Sequence, residues 1–221
     1  MLPFRGATLM NLGRTILRAF LAAAALSLAL LANVTPSFAQ QDDEDWVISF
    51  AGGFAKPAGG AFGHEWRRGP SIMLGVARQV NPKFELGAEF GSNKFHPAGD
   101  SIHVPGIGPG QNEWDMWRLR LRGRRMFASP DAKIAPFVMA GLGLYPITVQ
   151  SEDSTGIFKI TLTGTGVSLG GGVDFRAGES VAFGLESQYH YVKVNSAEVG
   201  YKASPILEFI LAIRWVPGGG T

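Results

Sequence analysis

The run Arg118-Leu119-Arg120-Leu121-Arg122-Gly123-Arg124-Arg125 places five guanidinium groups within eight residues. A basic stripe of that density can neutralise phosphates and is the usual electrostatic footprint of a nucleic-acid surface. Alternate residues of a strand, however, point to opposite faces. Arg118, Arg120, Arg122 and Arg124 then share one face, while Trp117, Leu119 and Leu121 share the other. A phosphate-binding surface has no use for the apolar face, so the stripe is expected to line an interior. Glu186, Ser187 and His190 supply an acid, a hydroxyl and an imidazole, the ingredients of a hydrolytic triad. On a strand Ser187 faces away from the other two, and without a bulge no triad forms. His64, His96, Asp100 and His103 carry metal-binding groups, but their spacing matches no tight ligand motif and suits plain loops. Gly106, Gly108 and Gly110 surround Pro109 without a flanking strand and helix, so no phosphate cradle is expected. The residues call for no metal and no cofactor.

The elements that position these groups follow from period-two alternation, which dominates from Trp46 onward. It predicts eight strands at about 46–56, 70–79, 83–95, 114–128, 133–150, 164–176, 180–194 and 204–216. In the sixth, Val167, Leu169, Val173 and Phe175 oppose Ser168, Asp174 and Arg176. In the seventh, Val181, Phe183, Leu185, Tyr189 and Tyr191 oppose Glu186, Gln188 and His190. The last sets Leu207, Phe209, Leu211, Ile213 and Trp215 against Glu208 and Arg214. The fifth is apolar on both faces, which leaves its orientation open. Asn81-Pro82, Ser129-Pro130-Asp131 and Arg176-Ala177-Gly178-Glu179 are tight-turn sequences. Residues 57–69, 96–113, 151–163 and 195–203 are longer, Gly-rich or polar connections.

Long and short connections therefore alternate, the asymmetry of a membrane barrel with short turns on one side and longer loops outside. A soluble barrel could use the same alternation with its apolar face inward. Two further features favour the membrane. Aromatic residues (Trp46, Trp114, Trp117, Phe127, Tyr189, Tyr191, Trp215) fall near strand ends on the apolar faces, where interfacial girdles belong. The opposite faces carry enough charge of both signs to pair within a narrow lumen. Arg125 falls on the lipid-facing parity and should lie at the turn-side interface, where a cation costs little.

The chain ends and composition agree. Arg5, Arg14 and Arg18 precede a run of small and apolar residues, Ala19 to Ala32, and Ser37-Phe38-Ala39 offers a signal-peptidase site. A spanning helix needs about 20 apolar residues, more than this run supplies. Residues 1–39 are thus expected to be a helical, cleaved signal peptide, 40–45 an acidic tail, 46–216 the barrel and 217–221 a short tail. Three of the 20 basic residues and none of the 18 acidic ones lie in the signal. That leaves 17 against 18, a net charge of −1, and no case for a nucleic-acid partner. With no cysteine in the chain, a fully paired sheet must hold the fold.

On strand number, loop alternation and the stretch Leu207-Glu208-Phe209-Ile210-Leu211-Ala212-Ile213-Arg214-Trp215, residues 46–216 resemble the small eight-stranded outer-membrane barrels of the OmpA/OmpX type. The family usually ends on its last aromatic residue, whereas Val216 to Thr221 follow here. The resemblance implies an all-β, eight-stranded antiparallel up-and-down transmembrane barrel in the outer membrane. Its implied partners are outer-membrane lipid and lipopolysaccharide, with periplasmic chaperones and the barrel-assembly machinery during biogenesis. It implies a non-enzymatic structural or surface-interaction role through the outer loops. The alternatives are a small gated pore or a lipid A-modifying enzyme, and the His-x-Ser motif of the barrel deacylases is absent.

The charged faces define the candidate site. Glu85, Glu89, Arg118, Arg120, Arg122, Asp174, Glu186, His190 and Arg214 are expected to form a lumen charge network. Glu85 should meet Arg122 near the turn side, and Glu89 should meet Arg118 or Arg120 higher up. Glu186 and His190 would extend the network from the opposite wall. An arginine alone in a narrow interior would be costly, which is why pairing is expected.

Overall fold

The computed structural model describes residues 46–59, 63–64, 66–98, 111–129, 132–153, 156–194 and 203–217. The expected signal peptide, its cleavage site, the acidic tail, Asp100, His103 and the glycines of 106–110 lie outside these residues.

Eight strands follow in chain order: β1 (Trp46–Pro57), β2 (Gly69–Asn81), β3 (Phe84–Phe95), β4 (Gln111–Met126), β5 (Ile134–Asp153), β6 (Gly156–Arg176), β7 (Val181–Val194) and β8 (Ala203–Trp215). Each pairs antiparallel with its sequence neighbours, and β1 pairs with β8 to close the barrel. The seam runs from Ile48 opposite Trp215 to Pro57 opposite Ile206. Closure removes the two open edges that an eight-stranded sheet would otherwise present.

Side chains alternate across the wall, and their sense settles the choice between the two barrels. Arg118, Arg120, Arg122 and Arg124 of β4 point inward and are buried, as are Glu85 and Glu89 of β3. Leu142, Leu169 and Leu211 are 62%, 67% and 68% exposed on the outer surface, far beyond what a water-soluble wall would leave bare in so continuous a band. The barrel is charged inside and apolar outside, the reverse of a soluble barrel. Polar outward residues bound the apolar band: Lys56, Arg68, Lys94, Glu113 and Thr148 at the loop end, Arg125 beside the turn after β4. Trp117, Phe127, Tyr189, Tyr191 and Trp215 are exposed near its margins. Trp114 is not; it turns into the lumen, 1% exposed, because it shares the parity of Arg118 rather than that of Trp117.

One open point is resolved and one further expectation is corrected. The fifth strand takes a definite orientation: Phe137, Met139, Tyr145, Ile147 and Val149 point inward, Val138 and Leu142 outward. And 151–163 is mostly not a loop. β5 and β6 continue as a paired hairpin as far as Asp153 opposite Gly156. The Thr-rich stretch there alternates with Ile160 and Leu162, and Thr suits a pleated strand despite its polarity. Elsewhere the boundaries shift by a few residues, with β4 beginning at Gln111. The turns at the other end are tight. Asn81 Oδ1 accepts from the Lys83 amide at 2.9 Å, and the Ala177 amide donates to the Val181 carbonyl at 2.9 Å.

Candidate functional site

The buried ionisable groups converge in the lumen, and strand parity puts them there. Along β3 the inward positions alternate Glu85, Gly87, Glu89, Gly91; along β4 they are all arginine from 118 to 124. The register sets Glu85 opposite Arg124, Glu89 opposite Arg120, and the two glycines opposite Arg122 and Arg118. Large groups thus face small ones in a tube with no room for two long side chains at every level. At Gly91 a Cβ would lie 2.8 Å from Arg118 Nε, so this glycine is what lets Arg118 cross the lumen.

Three charged levels result. Nearest the turns, Glu85 accepts from Arg214 Nη2 through both carboxylate oxygens, at 2.6 and 2.5 Å. Asp174 accepts from both Arg124 and Arg214 through Oδ2. The Arg124 guanidinium also lies 3.4 Å over the Phe137 ring centroid and 3.8 Å from Glu186, while Gln188 donates to Glu186 at 3.0 Å. At mid-height Glu89 takes Arg120 Nε at 2.5 Å. It stands 2.8 Å from Arg122 Nη1, close enough for charge pairing but not aligned as a hydrogen bond. Arg120 reaches on to Ser168 Oγ at 3.1 Å. The third level centres on Glu208, which accepts from Arg118 at 2.6 Å, Asn93 at 3.0 Å and Ser71. His190 Nε2 is 3.1 Å from Glu208 Oε2, and its Nδ1 is 3.1 Å from the Tyr145 hydroxyl.

Above these levels, toward the loops, the lumen turns apolar. Trp66, Phe95, Trp114, Met116, Tyr145, Ile147, Val149, Val192 and Ile206 form one buried cluster, with Trp66 and Trp114 edge to face at 5.3 Å. Trp66 arrives from the loop after β1, held by a bridge to Pro97.

All nine residues singled out from the sequence are buried inside the barrel, but several pairings differ from expectation. Glu85 is bound to Arg214 across the tube, not to Arg122. Arg122 joins Arg120 on Glu89, and Arg118 goes to Glu208. The site also contains residues the sequence reading left out of it: Arg124, Glu208, Asn93, Ser71, Ser168, Gln188 and Tyr145. Each shares the inward parity of its strand, so the signal was present. The apolar cap was missed for a similar reason. Trp114 and Met116 continue the arginine face, and Val192 and Val194 continue that of Glu186 and His190. Ser187 lies on the parity opposite to Glu186 and His190, and His64 and His96 are exposed in the loop region.

Among the described residues five acids and five arginines are buried in this interior, Glu85, Glu89, Asp174, Glu186 and Glu208 against Arg118, Arg120, Arg122, Arg124 and Arg214. Balanced charge lets each guanidinium be matched where an unpaired one would be severely penalised. Coupling between neighbours should therefore be measurable. A double-mutant cycle on Glu89→Gln and Arg120→Met, read by urea unfolding in lipid, should give an interaction of at least about 0.5 kcal/mol. Strict additivity would mean that the pair is not a unit.

Comparison with known proteins agrees with this architecture. Residues 22–206 match the family described as outer membrane protein beta-barrel domain. The crystal structure of Neisserial surface protein A (NspA) superimposes with a TM-score of 0.58 at 15% identity, covering 77% of this chain and 96% of that one. The outer membrane protein OprG of Pseudomonas aeruginosa gives 0.51 at 12% identity, covering 78% and 95%. No curated protein matches the sequence.

Proposed function

Since the chain belongs to the outer membrane protein beta-barrel domain family and is a protein of the outer membrane, we propose that it acts without catalysis, as a structural or surface-interacting barrel working through its loop end. The observation that carries this reading is the filled interior. Three charged levels and an apolar cap occupy the tube, and the cap's residues are at most 9% exposed. Eight strands enclose just enough space for side chains to fill, and here they fill it. That argues against free aqueous conduction. The same packing argues against an enzyme. Glu208, His190 and Tyr145 are the one hydrogen-bonded acid, imidazole and hydroxyl set among the described residues, and all three have 0% exposure. A substrate would have to displace the cap to reach them.

In this reading the loop end, with the hairpin of β5 and β6, faces outside, and the short turns face the periplasm. Residues 1–39 serve as the export signal, so the mature chain starts at Gln40. Four measurements test the reading. An epitope inserted after Ala98 should be labelled on intact cells, and one after Gly178 should not. The purified chain should have the mass of residues 40–221 and give no sustained open channel in planar bilayers. Lipid A from a deletion strain should be unchanged. Persistent conductance would favour the gated pore, an altered lipid A profile the enzyme, and inverted labelling would reverse the topology.

A further inference from the structure

The ladder between β2 and β3 holds one residue too many at its loop end. Ser71 pairs with Asn93 and, beyond the strand, Trp66 pairs with Pro97, so five residue steps on one side match four on the other. Burial locates the extra residue. Ser71 and Gly69 are buried and Pro70 and Arg68 exposed, as alternation requires, but Arg67 is exposed as well and Trp66 is buried. Arg67 and Arg68 therefore form a β-bulge, a device that re-aims a side chain and is frequent at barrel rims. In an unbroken ladder residue 66 would share the outward parity of Pro70 and Ile72; the bulge turns its indole into the lumen instead. Gly69 permits the bend, since a Cβ there would overlap the carbonyl oxygen of Lys94.

The inward indole closes the mouth. Trp66 is 2% exposed and meets Trp114 edge to face, in one cluster with Val149 and Ile206 from other walls. What holds it there is local. The Arg67 amide donates to the His96 carbonyl and Arg67 Nη2 to the Ala98 carbonyl, both at 2.8 Å, and the Trp66–Pro97 bridge stands apart from the strands. The wall below is a continuous ladder. The segment can thus let go while the barrel stays closed, because local opening costs only the contacts of the part that opens. A one-residue change of register reverses the faces of the residues it passes through. Straightening the bulge carries Trp66 to the outer loop-end margin, where a tryptophan's ring and its N–H are both accommodated.

We propose that the Arg67–Arg68 bulge is a latch on the barrel mouth. In the sealed form Trp66 fills the apolar cap, and in the open form the straightened segment holds it on the outer rim. The open form admits water and small solutes to the cap and no further, because the charged levels beneath are built on residues outside this segment. The latch works whichever side of the membrane the loops face, so it does not rest on the topology given above.

The chain has no cysteine, so one introduced thiol reports the state of the mouth. Val149→Cys is close to isosteric and lies in the cap, at a position 0% exposed. The full mature barrel carrying it, checked for heat-modifiable gel mobility, is placed in nanodiscs and labelled with a charged maleimide. This parent should label slowly but to completion. Deleting Arg68 removes the extra residue and leaves Trp66 inward in a regular ladder, so labelling should slow by at least about tenfold. Trp66→Ala empties the mouth, and labelling should quicken by a similar factor. A thiol from Ser168→Cys, at mid-height in the lumen, should stay unlabelled throughout, which separates opening of the mouth from unfolding of the barrel. The latch is refuted by a parent that never labels, by a deletion variant as fast as the parent, or by a Trp66→Ala variant as slow as the parent. Labelling of Ser168→Cys alongside Val149→Cys would refute it equally, since the whole barrel would then be opening.

Discussion

Asp174→Ala should destabilise the barrel by about 3–5 kcal/mol, the cost of stripping a buried guanidinium of its partner. Asp174 Oδ2 is shared by Arg124 and Arg214, so one carboxylate holds two cations contributed by strands on different sides of the tube. Arg214 keeps Glu85 when Asp174 is lost. Arg124 keeps Glu186 at 3.8 Å, the Phe137 ring and the charge of Glu85, which is itself bound to Arg214. The damage should therefore be concentrated on Arg124, and the Asp174→Ala/Arg124→Met pair should recover a large part of it by removing the stranded charge. Urea unfolding of the refolded chain in lipid vesicles, followed by tryptophan fluorescence, gives both values. A single-variant loss below about 1 kcal/mol would show that this end of the lumen tolerates an unmatched arginine, and the argument for a balanced network would fail with it.

Gly53→Val should prevent the barrel from closing. Gly53 lies on β1 at the seam, opposite Ser71 on one side and Ile210 on the other. A Cβ there would overlap the carbonyl oxygen of Phe209 and stand 2.9 Å from the Cα of Ile210. Both obstacles are backbone, so no rotamer change relieves them. If β8 is forced off β1, both strands lose ladder hydrogen bonds inside hydrocarbon, where each unpaired group costs several kcal/mol. The expected result is loss of the compact, heat-modifiable species during refolding. Gly178→Ala is the matched control, since a Cβ at that turn would meet nothing within 4 Å. Normal folding of Gly53→Val would mean that the seam can shift register, and the described closure would need revision.

The two predictions separate two kinds of information in this chain. Alternation along Asp115–Phe127 and Val181–Val194 determined which residues share a face, because strand geometry assigns faces by parity alone and needs no partner. It also determined the number of strands, and the punctuation of Asn81-Pro82 and Ser129-Pro130 marked where they turn. Parity carries no information about depth, however, nor about what stands across the tube. Glu85 and Arg122 share inward parity on adjacent strands, yet the register sets Glu85 opposite Arg124. The long side chains then span the lumen, giving Glu85 to Arg214 on β8 and Arg118 to Glu208 on the same strand. Where both faces were apolar, as in β5, even parity could not be read. Only closure showed that Phe137 lies under Arg124 while Tyr145 and Ile147 join the cap. Faces are set within one strand; pairings across a lumen require all eight to be closed, and that belongs to the tertiary structure alone.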